Sequence, residues 1–307
     1  MHVFLLSNIL LLMKAQYDNY DLFQDMDRHL TRPRFKAARS KYFYPSEASV
    51  EITDKNGDRK VEGGCLRAAY FRLTEDYEGS PHTAHSEYIF IQGSSVEKFL
   101  VNLWKEMGIW VANSVKFVDH ENNISGELDA ILMEPSNGQS YGVEVKSFYG
   151  YNAEKEIMGN KYQKGFPKMS HLLQTLIYLN HFQDRLPYFR IVYFDRGGSK
   201  RRTFKIELHK EGNIVYPKVE GDIIRSFTVN DILSRYQELK EYLETGTVPP
   251  NDFELQYSDA KIEDFYEKGK VGKTKYEAFK KGKLKQYEYI GDWQCSYCNY
   301  KETCWGK

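Results

Sequence analysis

The sequence predicts an α/β protein in which a mixed β-sheet is flanked by helices. Three observations support this prediction: a helix-periodic segment precedes three strand-like runs, a second helical segment follows them, and further strand-like runs come next. A chain with this order of elements packs its helices against a sheet. Hydrophobic residues make up 41% and aromatic residues 15% of the 307 residues, which suffices for a large core.

The first helix is predicted from apolar residues that recur at the spacing of one helix face. Ser94 or Ser95 can cap its N-terminus, and Gly108 ends it. The apolar residues are Val96, Phe99, Leu100, Leu103, Trp104 and Met107.

Three strand-like runs come next, at Ile109–Val118, Ile124–Met133 and Tyr141–Phe148. The breaks between them contain DHENN and EPSNG, and residues of these types form turns. Short turns between consecutive strands predict an antiparallel meander.

The later elements are predicted in the same way, from periodicity and from turn residues. They are a helix from about Lys168 to Phe182, strands near Tyr188–Phe194 and Thr203–Leu208 around a DRGGSK turn, and a helix over Asp231–Leu243 that Gly246 ends.

The segments outside this order are less regular. The stretch Arg32–Ser49 is basic and aromatic, which indicates an arm or loop, and GGCLRAAYFRL predicts a short helix. The stretch Lys261–Lys285 is rich in lysine, with interleaved Tyr and Phe. We therefore expect an N-terminal arm over residues 1–43 and a single domain over residues 44–307.

The first residues, MHVFLLSNILLLM, are apolar, but the run is too short to span a bilayer. They lack the basic region and cleavage site of a signal peptide, and Met13 begins an ordinary N-terminal sequence of its own. We expect a cytoplasmic protein, or one in the host cytoplasm if the source is viral. Lys plus Arg and Asp plus Glu number 43 each, so any nucleic-acid surface must be a local patch.

Carboxylates and a lysine come together in the segment SGELDAILMEPSNGQSYGVEVKS. Side chains alternate between the faces of a strand, so Glu144 and Lys146 share one face and Val145 points to the other. The preceding turn can bring Asp129 beside Glu144. Carboxylates and the Val145 carbonyl suit Mg²⁺ or Mn²⁺, and Lys146 can orient an attacking water. A Glu-x-Lys pair by itself is more often a solvated strand face.

Gly126, Asp129 and the tripeptide Glu144–Lys146 together resemble the core of the PD-(D/E)xK nuclease superfamily. The later segment QTLIY is similar to the Gln-x-x-x-Tyr element of the superfamily's RecB-like exonuclease branch. The resemblance implies a restriction-endonuclease-like core and the metal-dependent hydrolysis of phosphodiester bonds. It implies that the catalytic residues are Asp129, Glu144, Lys146, Gln174 and Tyr178.

The first helical motif of the branch corresponds to GSSVEKF in this chain. Many members have a histidine metal ligand there, whereas this chain has Glu97, and we expect His82 and His85 to be loop residues. The ligands of Mg²⁺ or Mn²⁺ that the resemblance implies are Glu97, Asp129, Glu144 and Val145.

Three of the four cysteines lie in CSYCNYKETC, near the C-terminus. Thiolates bind zinc and iron–sulfur clusters alike. The Cas4, AddB and Dna2 groups of the branch have one cysteine before the nuclease core and a Cys-x-x-Cys-x5-Cys trio after it, and these bind a [4Fe-4S] cluster. The resemblance therefore implies such a cluster here, with zinc as the alternative. Its ligands would be Cys65, Cys295, Cys298 and Cys304.

The function that the resemblance implies is a DNA exonuclease similar to Cas4, preferring single-stranded ends, in recombination, repair, viral DNA metabolism or CRISPR adaptation. The sequence contains no phosphate loop of a helicase motor, so a helicase, recombinase or adaptation protein is an expected partner, and a membrane is not. Two alternatives remain open: a nuclease-fold protein that binds DNA or a partner without cutting, and an RNA-directed nuclease. We expect DNA contacts at Arg67, Arg72, Arg201 and Arg202.

Overall fold

The structure is a computed structural model that describes residues 21–32, 40–53, 57, 59–198, 200–284 and 288–306. The apolar first segment, Met13 and residues 33–39 of the predicted basic stretch lie outside these residues. The described chain forms two units. The smaller contains the described residues up to 32 together with Pro81–Ile91, and the larger contains those from 40 to Ser80 and from Gln92 onwards.

The helices and strands of the described chain have the following bounds. The helices are α1 (Leu22–Leu30), α2 (Leu66–Leu73), α3 (Ala84–Glu106), α4 (Tyr151–Met158), α5 (Met169–Phe182), α6 (Val229–Thr245), α7 (Asp259–Glu267), α8 (Lys273–Lys280), α9 (Trp293–Ser296) and α10 (Lys301–Trp305). The strands are β1 (Ser49–Thr53), β2 (Arg59–Gly63), β3 (Trp110–Asp119), β4 (Ile124–Met133), β5 (Ser140–Phe148), β6 (Gly159–Asn160), β7 (Gln163–Lys164), β8 (Phe189–Asp195), β9 (Arg201–Glu211), β10 (Ile214–Val219) and β11 (Asp222–Ile223).

The main sheet of the described residues has seven strands in the order β11-β10-β9-β8-β5-β4-β3. Strands β3, β4 and β5 pair antiparallel, which confirms the predicted meander. Strand β8 pairs parallel with β5, because the intervening chain crosses over through α4 and α5. The remaining neighbours pair antiparallel, so the sheet is mixed, as the sequence predicts.

Helices cover both faces of this sheet. Along β8, Phe189, Ile191 and Tyr193 belong to the large core that α2, α5 and α6 share, whereas the alternate residues Val192 and Phe194 pack in a second core with α3. Alternate residues of a strand face opposite sides, so the two cores lie on opposite faces. The prediction of a mixed sheet flanked by helices is therefore confirmed.

Helix α5 is buried around its whole circumference over one long stretch. Leu172, Leu173, Leu176 and Leu179 are fully enclosed, and the polar residues between them are also buried. A helix that is buried on all sides is held in position by its packing. Polar side chains on α5 therefore project from a fixed support.

The start of α3 differs from the prediction. The helix begins at Ala84, so that His85 and both serines lie inside it, and the Thr83 hydroxyl accepts the Ser86 N–H at 3.2 Å. This earlier cap takes the place of the predicted one at Ser94 or Ser95. The buried face is also narrower than expected, since Phe99, Leu103 and Met107 are exposed.

The stretch predicted as an arm or loop contributes to the core. Phe43 is buried, its backbone pairs with β4 at Ile124, and its ring stacks on Tyr236 at 5.4 Å. The lysine-rich stretch forms α7 and α8, where lysines pair with nearby acids, for example Lys280 with Glu263 at 2.5 Å. Among the described helices, none combines the length and the hydropathy needed to cross a bilayer.

Candidate functional site

The carboxylates singled out in the sequence meet where strands β4 and β5 separate. The antiparallel pairing of the two strands ends at Ala130 and Val143. Beyond this point, the Val145 N–H donates a hydrogen bond of 2.6 Å to the Asp129 carboxylate. A short hydrogen bond from a backbone donor fixes the carboxyl group in place. Asp129 is therefore held at the point where the pairing of β4 and β5 ends, which we call the fork.

A chain of polar contacts runs from this fork to α5. The Lys146 Nζ lies 2.6 Å from the Glu144 Oε1 and donates to the Gln174 Oε1 at 3.0 Å. The Gln174 Nε2 donates to the Tyr178 hydroxyl at 3.0 Å, and that hydroxyl donates to the Glu127 carbonyl at 3.2 Å. Because Gln174 and Tyr178 are carried by a buried helix, they hold the Lys146 ammonium in one position.

Glu144 is the most deeply buried acid of the site, with only 2% of its surface exposed. Lys146 satisfies its Oε1, but its Oε2 has no hydrogen-bond partner among the described residues. A buried carboxylate oxygen without a partner is costly. A bound cation would remove this cost.

The site carries more negative than positive charge. Burial and the neighbouring Glu144 hold the pKa of Asp129 well above its usual value, although Lys146 acts in the opposite direction. Burial, Glu144 and Glu127 also raise the pKa of Glu97, which lies half-buried on α3. Burial lowers the pKa of Lys146, but Glu144 and Asp129 outweigh it, so the pKa is raised and the ammonium stays charged. A divalent cation would relieve the repulsion between the acids.

The donor set fits a hard cation that keeps much of its water. No group of three or more acid, histidine or cysteine side chains in the described ranges is arranged to hold a metal ion. Mg²⁺, however, is usually bound by one or two carboxylates together with waters and substrate phosphates. Asp129 and Glu144 supply two carboxylates, and one oxygen of Glu144 has no other partner.

Gly126 has a packing role beside the site. A Cβ atom at this position would lie 2.8 Å from the Phe117 ring, 2.9 Å from Pro45 Cγ and 3.1 Å from the Tyr178 ring. Contacts under 3.0 Å require neighbouring atoms to move. The absence of a side chain at Gly126 therefore lets Tyr178 approach β4.

The four cysteines line one small cavity in the larger unit, with a volume of about 20 Å³. Cys65 precedes α2, whereas the other three belong to α9, α10 and the turn between them. Bringing them together joins segments 230 residues apart, from Cys65 to Cys295.

Three thiols of this cavity are harder to ionise than a free cysteine. Burial raises the pKa of Cys65 to about 11 and that of Cys295 to about 12, and burial also raises the pKa of Cys298. The Cys304 Sγ lies 3.2 Å from the Asn251 Oδ1. Since metals bind thiolates, any metal that enters must displace protons.

Two arginines predicted to contact DNA are engaged within the protein. The Arg67 Nε donates to the Pro249 carbonyl at 2.6 Å, and its Nη1 donates to the Cys304 Sγ at 3.6 Å. Arg72 forms a bidentate ion pair with Glu47 and is 19% exposed. Both therefore have fewer donors for phosphate than the sequence suggests.

The other two arginines differ from each other. The Arg202 Nη1 donates to the Met158 carbonyl at 2.6 Å, whereas Arg201 is exposed at the start of β9. Arg201 is therefore the best placed of the four predicted arginines to meet a phosphate from outside.

Two residues that support the cysteine cavity have no signal in the sequence. Asp252 accepts the Leu66 N–H, at the start of α2, at 2.7 Å, and it also accepts a hydrogen bond from Arg235 at 2.7 Å. Asn251 lines the cavity next to Cys304. Both act on partners far away in the chain, so no local spacing indicates them.

Comparisons with known proteins assign no family. No protein-family model matches this chain, and no curated protein matches it either. Among solved structures, the crystal structure of SSO0001 is similar to it at 15% identity, with a TM-score of 0.43. The match covers 93% of this chain and 94% of that one. A likeness of this strength carries no argument about function.

Proposed function

We propose that this chain is a metal-dependent DNA exonuclease of the PD-(D/E)xK type, similar to Cas4, which hydrolyses phosphodiester bonds at DNA ends. The observation that carries the proposal is the meeting of Asp129, Glu144 and Lys146 at the fork between β4 and β5, with Lys146 held by Gln174. Acids and an ammonium on rigid elements are the groups that this chemistry needs.

The order of elements around the fork supports the assignment of the fold to the restriction-endonuclease-like class. The helix α3 precedes the antiparallel strands β3, β4 and β5, and the chain then crosses over through α4, the short strands β6 and β7, and α5 to the parallel strand β8. This is the order expected of a restriction-endonuclease-like core. The fork lies at its centre, between strands that helices cover on both sides.

The side chains have separate roles in this proposal. Asp129 and Glu144 would hold Mg²⁺ or Mn²⁺, with Glu97 and the Val145 carbonyl as further ligands. The chemistry that such a cation would supply is polarisation of the phosphate and a lowered pKa of a water. Lys146 orients the attacking water or stabilises developing charge, and Gln174 and Tyr178 position Lys146.

The cysteine cavity is proposed to hold a [4Fe-4S] cluster. The donor set fits, since four cysteines line one cavity and the residues around it are largely apolar. Thiolates bind iron–sulfur clusters and zinc alike, so the choice of a cluster rests on the resemblance to Cas4, AddB and Dna2, with zinc as the alternative.

A second function is favoured by one specific observation. Glu97 replaces the histidine of the first helical motif, so the ligand set departs from the pattern of the branch. If this departure in the ligand set abolishes cleavage, the chain is a nuclease-fold protein that binds DNA, or a partner, without cutting it. An RNA-directed nuclease would use the same groups on a different substrate.

The test is digestion of end-labelled single-stranded DNA, duplex DNA and RNA in Mn²⁺ by the full chain. We expect wild type and Lys240→Ala, whose lysine is exposed on α6, to release nucleotides from DNA. We expect Asp129→Ala and Lys146→Ala to release almost none. Equal digestion by all four proteins would refute the proposed site, and DNA binding without any cleavage would favour the second function.

A further inference from the structure

A second feature of the larger unit is a groove lined by four exposed aromatic side chains. The groove has a volume of about 840 Å³. Tyr149, Tyr151, Trp293 and Tyr297 line it, and they are 70%, 76%, 60% and 80% exposed. Aromatic rings gathered on one exposed surface mark a binding site more often than scattered ones do.

The faces of these rings are open to a ligand. Within the described ranges, none of the four stacks on another ring or lies against a cation, whereas Tyr266 and Tyr276 elsewhere stack on each other at 3.9 Å. Tyr149 packs closely against Gly197, because a Cβ there would lie 2.9 Å from its ring. The groove therefore presents free aromatic surface, and at least one of its rings has a defined support.

One wall of the groove is linked to the carboxylate site by side-chain contacts. His171, near the start of α5, lies in its wall. The His171 Nδ1 is 2.8 Å from the Tyr193 hydroxyl, and Tyr193 is paired with Lys146 between β8 and β5. Gln174, less than one helical turn further along α5, contacts Lys146 directly. The groove therefore lies close to the fork, because α5 carries residues that contact both.

The charges that line the groove nearly cancel. Glu62 pairs with Lys60 at 2.5 Å, so its charge is largely balanced. Lys168 and Glu156 line the groove with opposite charges. A groove without a strong field attracts phosphates weakly, so the rings must supply most of the affinity.

We propose that this groove binds the unpaired bases of single-stranded DNA, which stack on Tyr149, Tyr151, Trp293 and Tyr297 while the strand reaches the carboxylate site. The inference rests on the proposed nuclease function and names the substrate class of that site. Aromatic rings stack on any exposed base, so they bind a strand without reading its sequence. A duplex keeps its bases paired and stacked within the helix, so the rings select single strands.

The test is the affinity of the full chain for a fluorescent thymidine 20-mer, a duplex of equal length and a uridine 20-mer, measured by anisotropy in a chelator so that no cutting occurs. We expect Trp293→Ala and Tyr151→Ala each to weaken binding of the thymidine strand by about 5- to 150-fold, the equivalent of losing one stacked base. Binding of the duplex should change little.

Three controls separate stacking from other effects. Trp293→Phe and Tyr151→Phe keep a ring and should bind like wild type. Tyr162→Ala removes a ring that is 85% exposed and does not line the groove, so its affinity should be unchanged. The loss in the alanine variants should be the same at low and high salt, because stacking releases no counterions.

The outcomes distinguish the groove from the nuclease activity. If wild type cuts DNA but the alanine variants bind the thymidine strand as tightly as wild type, the groove proposal is wrong and the nuclease proposal stands. If binding depends on the rings but no protein cuts DNA in Mn²⁺, the groove stands and the nuclease proposal fails. Tighter binding of the uridine strand than of the thymidine strand would overturn the assignment to DNA.

Discussion

The carboxylate site and the cysteine cavity are assembled in opposite ways. Asp129 and Glu144 are 15 residues apart on neighbouring strands, and Lys146 follows on the same strand as Glu144. Cys65 and Cys295 are 230 residues apart and meet only when α2 and α9 come together. The first site depends on local strand pairing, whereas the second joins distant segments of the chain.

The two regions also differ in charge. The carboxylate site has an excess of negative charge and a carboxylate oxygen without a partner. Cys65 and Cys295 in the cavity have raised pKa values, so any metal that binds them must displace their protons. Under the proposed function the two sets of ligands would suit different metals, and we expect only the cysteine site, which joins distant segments, to contribute strongly to stability.

The largest expected effect is on activity. Asp129→Asn keeps an oxygen that can accept the Val145 N–H, but it removes a charged ligand. We expect the rate of DNA cleavage to fall about 10³-fold. The free energy of unfolding should change by less than about 1 kcal/mol, since burial already favours the neutral form of Asp129.

Cleavage in Mn²⁺ and unfolding in urea measure the two quantities. Glu121→Gln is the matched control, because Glu121 lies exposed in the turn between β3 and β4. An Asp129→Asn protein as active as wild type would contradict the assigned role.

The next effect is on stability. Cys298→Ser should abolish the visible absorbance of an iron–sulfur protein and lower the free energy of unfolding by about 2–4 kcal/mol, if the cluster constrains the unfolded chain as a crosslink does. Absorbance spectra and urea unfolding, both under anaerobic conditions, measure these two effects. Ser296→Ala, on the exposed side of the same segment, should match wild type. An unchanged metal content in Cys298→Ser would rule out the cavity as a metal centre.

A smaller effect concerns the position of Lys146. Gln174→Ala removes the amide that accepts its hydrogen bond. We expect kcat for DNA cleavage to fall about 10-fold with KM unchanged, because the ammonium is less well placed in the transition state. A change in KM alone would indicate a role in substrate binding instead.

The smallest effect is at Tyr178. Tyr178→Phe loses the hydroxyl that joins Gln174 to the Glu127 carbonyl. We expect a loss of about 1 kcal/mol in the free energy of unfolding and a reduction of activity smaller than that of Gln174→Ala. Urea unfolding compares it with Tyr162→Phe, an exposed tyrosine that should show no loss. A stability equal to wild type would mean that this contact contributes nothing.

The sequence predicted the parts of the molecule that local spacing controls. Strand alternation placed Glu144 and Lys146 on one face, and the turns between strands predicted the meander that brings Asp129 alongside. These residues are close in sequence, so the geometry of the strands decides where they lie.

The parts that were not predicted depend on contacts between distant residues. Asp252 caps α2 by accepting the Leu66 N–H from 186 residues away, and no periodicity in the sequence indicates this pairing. The aromatic groove was also not predicted, because Tyr151 and Trp293 are far apart in the sequence and line it together only in the folded chain. The start of α3 was missed because Thr83, and not a later serine, caps it.

The most direct test of the account is the binding of Mn²⁺ by wild type, Asp129→Asn and a folded Cys298→Ser protein, measured by calorimetry. The account predicts that Asp129→Asn weakens Mn²⁺ binding by at least about 10-fold, while Cys298→Ser binds it as wild type does. Equal binding by wild type and Asp129→Asn, or a loss confined to Cys298→Ser, would contradict the claim that the strand fork is the site of the hard cation.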